Sequence, residues 1–490
     1  MPTFNIESIN SSKGNRIDIS KFTSDQSVAY TKLMEFINSP FDKNNFKRAL
    51  IGAAGTGKTY SVKALINNCN ISFSEIGLAA PTHKACRVLR ESIGLKHANV
   101  NTIQSDLGLR VNFDVEKFDI NNPPFDPKGK IKIDTYKLYI VDEASMINRG
   151  LKTFLERMAV KHEVKIIYIG DESQLPPVNE KYSSALRGIE TLRLTQIVRQ
   201  GEDNPISPLL EMLRYDIKNK KFTFLEHITR NRSHYDMNHI KGYSVCTPAE
   251  FNAIVQREFT DEAFVTNVDL SKVIGYTNNC VNGWNNFIRN SIILDAEKSV
   301  ITKNDLIISY ITIVNEFNEI IIRNSEEYIL KDVVNYIHPK YNLKGFMVRF
   351  TAIHGGETTT PLFIVDHRDA FSIQMYYKIA NELIHTAQTA TAARRAAAWK
   401  EYFAFKESSL LLVNIVNGNG QTVFSRDLDY GFSVTAHKSQ GSTFDTALVD
   451  VNDIVYDKYH NPYNDAEDIN RRLYVACSRA KNKLYLKYGL

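Results

Sequence analysis

Short apolar runs separated by amphipathic stretches mark the first half of the chain: ALIG (49–52), IGLAAP (76–81), KLYIVDEAS (137–145), VKIIYIGD (164–171) and TLRLT (191–195). Apolar runs about four to six residues long, with helical segments between them, predict buried parallel strands of a βαβ sheet. Ahead of them Val28, Leu33, Met34, Phe36 and Ile37 recur at helical spacing. That spacing predicts a helix over Phe22–Ile37 with Thr23, Ser24 and Asp25 as N-cap candidates. Residues 1–20 read as a loose leader. Two segments break the rhythm. Residues 107–135 alternate around a Pro-Pro and a Lys-Gly-Lys turn, which predicts a small β insertion. Residues 300–375 are rich in Ile, Val, Thr and Tyr and predict a compact β module, followed by a strongly helix-forming stretch at Ala387–Phe405. The α/β pattern flanks that module as KVIGYTN (272–278) before it and FSVTA (432–436), ALVDV (447–451) and KLYLKY (483–488) after it. A domain split by an insertion is the simplest account.

Composition narrows the classes. A chain of 490 residues suggests about three domain-sized units. With 43% hydrophobic and 23% charged residues it is globular rather than a disordered tail. A net charge of +5 permits nucleic-acid contact without requiring it, so any binding surface comes from clustering. Cys69, Cys86, Cys246, Cys280 and Cys477 are scattered without a C-x-x-C pair, which reads as reduced thiols rather than a disulfide frame or zinc site. No apolar run approaches a membrane span, and the polar amino terminus lacks a secretory core, so the expectation is a soluble, cytoplasmic protein with no membrane partner.

Gly52-Ala-Ala-Gly-Thr-Gly-Lys-Thr59 fits G-x-x-x-x-G-K-[ST], following a predicted strand and opening a predicted helix. Gly52, Gly55 and Gly57 let the backbone wrap closely around phosphates, and successive N–H groups, including that of Thr56, meet them at the helix N-terminus. Lys58 is placed to reach the β- and γ-phosphates of ATP, and the Thr59 hydroxyl to ligate Mg²⁺. The run Leu138–Val141 ends in Asp142 and Glu143. Asp142 suits the metal, and Glu143 suits the orientation and deprotonation of a water. Further on, IGDESQLPP (169–177) follows another apolar run; Gln174 reads either as a contact to the γ-phosphate or attacking water, or as part of a rigid turn.

The ordered set GAAGTGKT, APTHKACRVL, NTIQSDL, IVDEASM, GDESQLPPV, LTQIVRQ, VTAHKSQGSTFD and LYVACSRAKNKLYL resembles the superfamily 1 helicases, within them the RecD-like group, and most the Dda-type phage helicases. The resemblance spans about residue 22 to the carboxyl end. It implies an α/β fold of two RecA-like parallel-sheet domains: a first over 1–195 carrying a pin-bearing insertion at 107–135, and a second over 196–299 and 431–490. An SH3-like module with a helical segment occupies 300–430. The activity implied is ATP-driven translocation on single-stranded DNA, 5′→3′, with strand separation at forked DNA. A single-strand-binding protein is a further candidate partner, a monomer the expected working form, and host cytoplasm the site if the chain is phage-encoded.

Residue by residue, the resemblance makes Gln26 the adenine-recognising glutamine, against a plain polar helix residue. Arg199 and Arg479 match two arginine fingers, whose planar, always-charged guanidinium groups suit the charge that spreads over a transferring phosphoryl group; surface ion pairing is the alternative. Gln440 and Gly441 match a nucleotide contact from the second domain. Pro81, Thr82, His83, Thr102 and Gln104 match strand contacts of the first domain, and Tyr276, Thr277, Asn278, Thr435, His437 and Lys438 those of the second. Short polar groups at strand ends suit phosphates, which position a strand without reading its sequence; a helix cap is the alternative for each threonine. Gln104 departs from the RecD-like T-I-H-S pattern, since an amide cannot become cationic. Phe113, Phe118 and Phe125 are pin candidates for stacking at a fork, against a role in the insertion's core. The same motifs fit a translocase that strips proteins or acts on RNA. A non-enzymatic binding module is disfavoured by the intact Lys58, Thr59, Asp142, Glu143, Arg199 and Arg479.

Overall fold

A computed structural model describes residues 16–94, 99–109, 130–196, 198, 204–294, 296–314 and 319–489. Arg199 and the pin candidates Phe113, Phe118 and Phe125 lie outside the described residues, as does most of the insertion expected at 107–135. The chain divides into two compact units. The first takes the described residues up to Tyr243 together with Ser439–Thr443 and Tyr463–Asn482; the second takes Ser244–Lys438, Phe444–Pro462 and the residues from Lys483. The strand Ala480–Lys487 belongs to the six-stranded sheet that holds Ser271–Gly275.

The first unit is built on six strands, β1 (Lys47–Gly52), β2 (Ile76–Ala80), β3 (Asn99–Thr102), β4 (Leu138–Val141), β5 (Lys165–Gly170) and β6 (Thr191–Leu194), in the order β3-β2-β4-β5-β1-β6. Every pairing is parallel. All residues of β2, β4 and β5 are buried, which is why their sequences read as unbroken apolar runs rather than alternating ones. Helices α1 (Ser24–Asn38), α2 (Lys58–Asn68) and α3 (His83–Ile93) bury Leu33, Leu65 and Leu89 in one core with Leu78 and Ile140. On a separate core α4 (Arg149–Lys161) packs Leu155 and Met158 with Tyr139 and Tyr168. Each such side chain contributes roughly 1.5–3 kcal/mol of burial. Thr23 closes a capping box with Gln26 at the start of α1, as the N-cap reading expected. Val28, counted in the apolar face of that helix, instead lies 56% exposed.

The second unit holds Ser271–Gly275 paired in parallel with both Ser433–Thr435 and Phe444–Asp450. Between these segments lies a five-stranded antiparallel sheet, ordered Leu362–Val365, Lys344–Ala352, Glu327–Ile337, Leu306–Ser309 and Leu428–Tyr430. Its core gathers Leu330, Val348, Phe350 and Ile364. The helix-forming stretch 387–405 is divided between two helices, Ala370–Thr389 and Ala392–Ser408. Ala390 turns extended between them, so alanine propensity, which is only a weak prior, yields to the packing of two antiparallel segments. No disulfide joins the cysteines, and among the described residues no helix is long and apolar enough to cross a membrane.

Asp106 carries a testable cost. Its carboxylate is fully buried, accepts the Tyr139 hydroxyl at 2.9 Å, and is pushed up to about 6 by burial despite that bond and the nearby Lys132. A folded-state value above the unfolded one makes its contribution full below pH about 4 and lost as pH rises through about 6. Asp106→Asn keeps an acceptor for Tyr139 without the charge. Thermal or denaturant unfolding should show it stabilised over wild type at pH 8, on the order of 1–3 kcal/mol, with the difference vanishing near pH 4. Equal differences at both pH values contradict this.

Candidate functional site

The phosphate cradle sits at the carboxyl end of β1. Gly55 and Gly57 have φ of 87° and 80°, a region that side chains with a Cβ rarely adopt. A Cβ on Gly57 would also lie 2.3 Å from Gln26 Nε2. The loop therefore closes against α1, where Gln26 is buried and donates to the Thr56 carbonyl at 2.9 Å while its Oε1 accepts the Thr23 N–H at 3.1 Å. Gln26 thus ties α1 to the cradle, with both its amide atoms engaged within the protein. Lys58 Nζ donates to the carbonyls of Gly52 and Ala53 at 2.6 and 2.8 Å, which places its charge inside the loop. Val198 N donates to Gly55 O at 2.9 Å, so the segment following β6 lies on the cradle.

That segment is held by Asp25, which sequence reading counted only as a cap. Its carboxylate accepts the N–H groups of Thr195 and Gln196. Burial works against its charge, but bonds from the Thr23 hydroxyl and from the N–H groups of Gln196, Thr195 and Gln26 hold it down at about 2.

The acids follow β4, two strands from β1 in the sheet. Asp142 N donates to Ala79 O at 2.8 Å, which continues the pairing of β4 with β2, and Glu143 N donates to Asp142 Oδ1 at 2.9 Å. Glu143 takes a left-handed φ of 50°, and this turn points successive carboxylates out of the strand instead of continuing it. Strain of that kind at a non-glycine residue is a feature of sites that need a fixed side-chain direction. Burial raises both carboxyls; the charges of Asp142 and Asp171 push Glu143 further up while Arg479 and Lys58 oppose the rise. A carboxylate held above its usual range accepts a proton from water more readily near neutral pH. Asp142, whose charge Lys58 favours, and the Thr59 hydroxyl at the start of α2 are an oxygen pair of the hard type that Mg²⁺ selects.

Arg479 lies within electrostatic reach of Glu143. It is buried, and backbone and side-chain acceptors fix its guanidinium: Nε to Val475 O at 3.0 Å, Nη1 to Ser442 O at 3.0 Å and Nη2 to Ser478 Oγ at 2.8 Å. The loop after β5 meets the same elements. Gln440 Nε2 donates to Leu175 O at 3.1 Å and Gln174 Oε1 at 3.3 Å, and Arg471 donates to the carbonyls of Gln174 and Glu172. Gly441, beside Gln440, turns with φ of 71°. Lys58, Asp142, Glu143 and Arg479 are thus within electrostatic reach of one another, and Gln174 and Gln440 bond each other on the loop after β5.

The residues proposed to hold a strand fall into one set per unit. In the first, Pro81, Thr82 and His83 leave β2 while Thr102 ends β3 just before Gln104, and Ala80 is in register with Thr102. The Thr82 and Thr102 hydroxyls accept from the N–H groups of Ala85 and Ser105, as caps, and Gln104 Oε1 is buried without a hydrogen-bond partner. In the second, Tyr276, Thr277 and Asn278 follow one strand, while Thr435 ends the neighbouring strand ahead of His437 and Lys438, with Gly275 in register with Thr435. The Tyr276 and His437 rings lie 6.5 Å apart. Asp453 holds this set, accepting from the N–H groups of Tyr276 and Thr277 at 2.6 and 2.9 Å and from the Thr277 hydroxyl at 2.6 Å. No motif pointed to Asp453; its only signal was an acid soon after the run ALVDV.

A family model described as an AAA domain matches residues 35–233. An uncharacterized protein of Acanthamoeba polyphaga mimivirus is 24% identical over 520 aligned positions, covering 94% of this chain and 99% of that protein. The ATP-dependent RecD2 DNA helicase of Deinococcus radiodurans is 33% identical over 163 positions, covering 32% of this chain and 20% of that one. Among solved structures, the Pif1 helicase of Candida albicans is 16% identical and covers 96% of this chain and 94% of its own at a TM-score of 0.49. A Bacteroides Pif1 helicase in complex with ADP-AlF3 and ssDNA is 16% identical, covering 93% and 91% at a TM-score of 0.45.

Glu143→Gln removes the proton acceptor and keeps the shape. Nucleoside triphosphate affinity, read by fluorescent-nucleotide titration, should stay within a few-fold while phosphate release falls by about 100-fold or more. Undiminished release contradicts the role given to Glu143.

Proposed function

We propose that this chain is an ATP-dependent superfamily 1 DNA helicase of the RecD-like group that translocates 5′→3′ on single-stranded DNA and separates strands at forks. The carrying observation is that Lys58, bonded inside the glycine-rich cradle, and the buried Arg479 both lie within electrostatic reach of the raised Glu143 carboxyl. Lys58 binds and orients the triphosphate. Glu143 holds the attacking water and takes its proton. Arg479 faces the charge that develops on the transferring group. Arg199 would add a second guanidinium beside it, while Gln26, buried with both amide atoms engaged, closes the cradle from α1. Mg²⁺, held by Thr59 and Asp142, supplies neutralisation of phosphate charge.

The AAA-domain match over 35–233 and the likeness to the RecD2 helicase support ATP-driven work on DNA. Paired strand-end sets in each unit support the track: polar groups suited to phosphate, with Lys438 as a cation and the Tyr276 ring as a stacking surface. Polarity, a phage origin with work in the host cytoplasm, a monomeric working form, contact with a single-strand-binding protein and a pin formed by one of Phe113, Phe118 or Phe125 complete the proposal. The antiparallel module between 300 and 430 fills the place of the SH3-like domain in this reading.

Unwinding of short duplexes with a 5′ or a 3′ tail, in DNA and RNA, tests it. Wild type should open 5′-tailed DNA with strand-stimulated ATP turnover, and Lys58→Ala should lose both. Equal turnover in wild type and Lys58→Ala contradicts the motor. Turnover with no unwinding of either DNA substrate favours a translocase that strips proteins. Affinity for single strands should fall linearly on a log–log salt titration with little dependence on sequence; a flat titration contradicts the track.

A further inference from the structure

The end of β5 carries a buried polar contact that the hydrolysis scheme leaves unused. Asp171 follows β5, is only 4% exposed, and has both carboxylate oxygens engaged. Oδ1 accepts the Ser173 N–H at 2.9 Å, and Oδ2 accepts the Tyr474 hydroxyl at 2.6 Å. Tyr474 is itself 1% exposed, on the helix Ala466–Cys477. A charged acceptor and a phenol both withdrawn from water depend on one another, since either left alone loses its partner without regaining solvent.

The position of this pair gives it a consequence. Val475, the next residue, offers its carbonyl to Arg479 Nε at 3.0 Å, so the backbone that Tyr474 anchors is the backbone that orients the guanidinium. On the other side, the Asp171 backbone carbonyl accepts Gln174 N at 3.2 Å, which fixes the loop that bonds Gln440. Arg471 and Gln440 also reach that loop, through the backbone carbonyls of Glu172, Gln174 and Leu175 and the Gln174 side-chain oxygen. Asp171–Tyr474 is the contact from this helix to the carboxylate at the end of β5. The Tyr474 ring is further flanked by the Arg214 guanidinium, 5.9 Å from its centroid, on the helix Ile206–Asn219.

We infer that Tyr474 is a positioning residue for hydrolysis: its hydroxyl, donated to Asp171, seats the Arg479-bearing helix on the end of β5 and so sets Arg479 opposite Glu143. The inference rests on the proposed ATP hydrolysis and acts only through Arg479. A single lost hydroxyl would let the helix end shift, and small misplacements of a group that meets the transition state lower turnover steeply.

The test is a double-mutant cycle on strand-stimulated ATP turnover with Tyr474→Phe, Arg479→Ala and the double variant. Tyr474→Phe keeps the ring and its packing. It should lower kcat by about 10-fold and leave KM for ATP within about two-fold. In the Arg479→Ala background the same change should cost nothing further, because the group being positioned is gone. Unchanged kcat in Tyr474→Phe overturns the inference. So does a full additional loss in the Arg479→Ala background, or a rise in KM with kcat kept, since either shows a structural or ground-state role. Absence of turnover in wild type would instead sink the functional reading on which the inference stands.

Discussion

Two carboxylates on consecutive residues at the end of one strand, each half-withdrawn from water, repel each other. Asp142 and Glu143 can remain useful as anions only because cations approach them: Lys58 from the cradle and Arg479 from the Ala466–Cys477 helix side. Removing one member of such a cluster leaves the others uncompensated, so the four behave as a unit rather than as separate contributions. The rest of the first unit can be read as the apparatus that keeps these groups at that separation. The parallel sheet sets β1 and β4 two places apart, the left-handed turn at Glu143 fixes the second carboxylate, and Gln26 closes the cradle from α1.

The arrangement also explains how nucleotide chemistry could be reported to other parts of the chain. The loop 171–175 follows β5, and Gln440, Arg471 and Tyr474 all bond to it. A change in the charge of Glu143 is felt by Arg479, whose acceptors are Val475, Ser442 and Ser478. Those same short segments carry the bonds to the loop. Coupling here has a physical carrier of hydrogen bonds between packed elements, and a ligand shifts it only through contacts that differ between states. In the second unit Asp453 plays a comparable part for the backbone of Tyr276 and Thr277.

The parts legible in the sequence were those where one physical demand leaves one pattern. Strands β2, β4 and β5 bury both faces and so appear as continuous apolar runs, and the cradle needs glycine at fixed intervals with Lys58 and Thr59 after them. Thr23 announced its helix because a capping box is local. What escaped was non-local or ambiguous by residue type. Tyr474 and Asp171 are 303 positions apart, and Asp453 is 176 from Thr277; nothing in the spacing of either signals the contact. Thr82 and Thr102 satisfy helix caps whether or not they also meet a strand, so the residue alone does not choose between roles. The Ala387–Phe405 stretch is favourable to helix throughout, and its break at Ala390 comes from the packing of two helices, which composition does not encode.

A crystal structure with ADP, aluminium fluoride and a short single strand bears most directly on the central claim. The account predicts the fluoride group ringed by Lys58 Nζ, the Arg479 guanidinium and a water held by Glu143. An Arg479 turned away from the fluoride group, with Glu143 far from any water in line with it, would contradict the account.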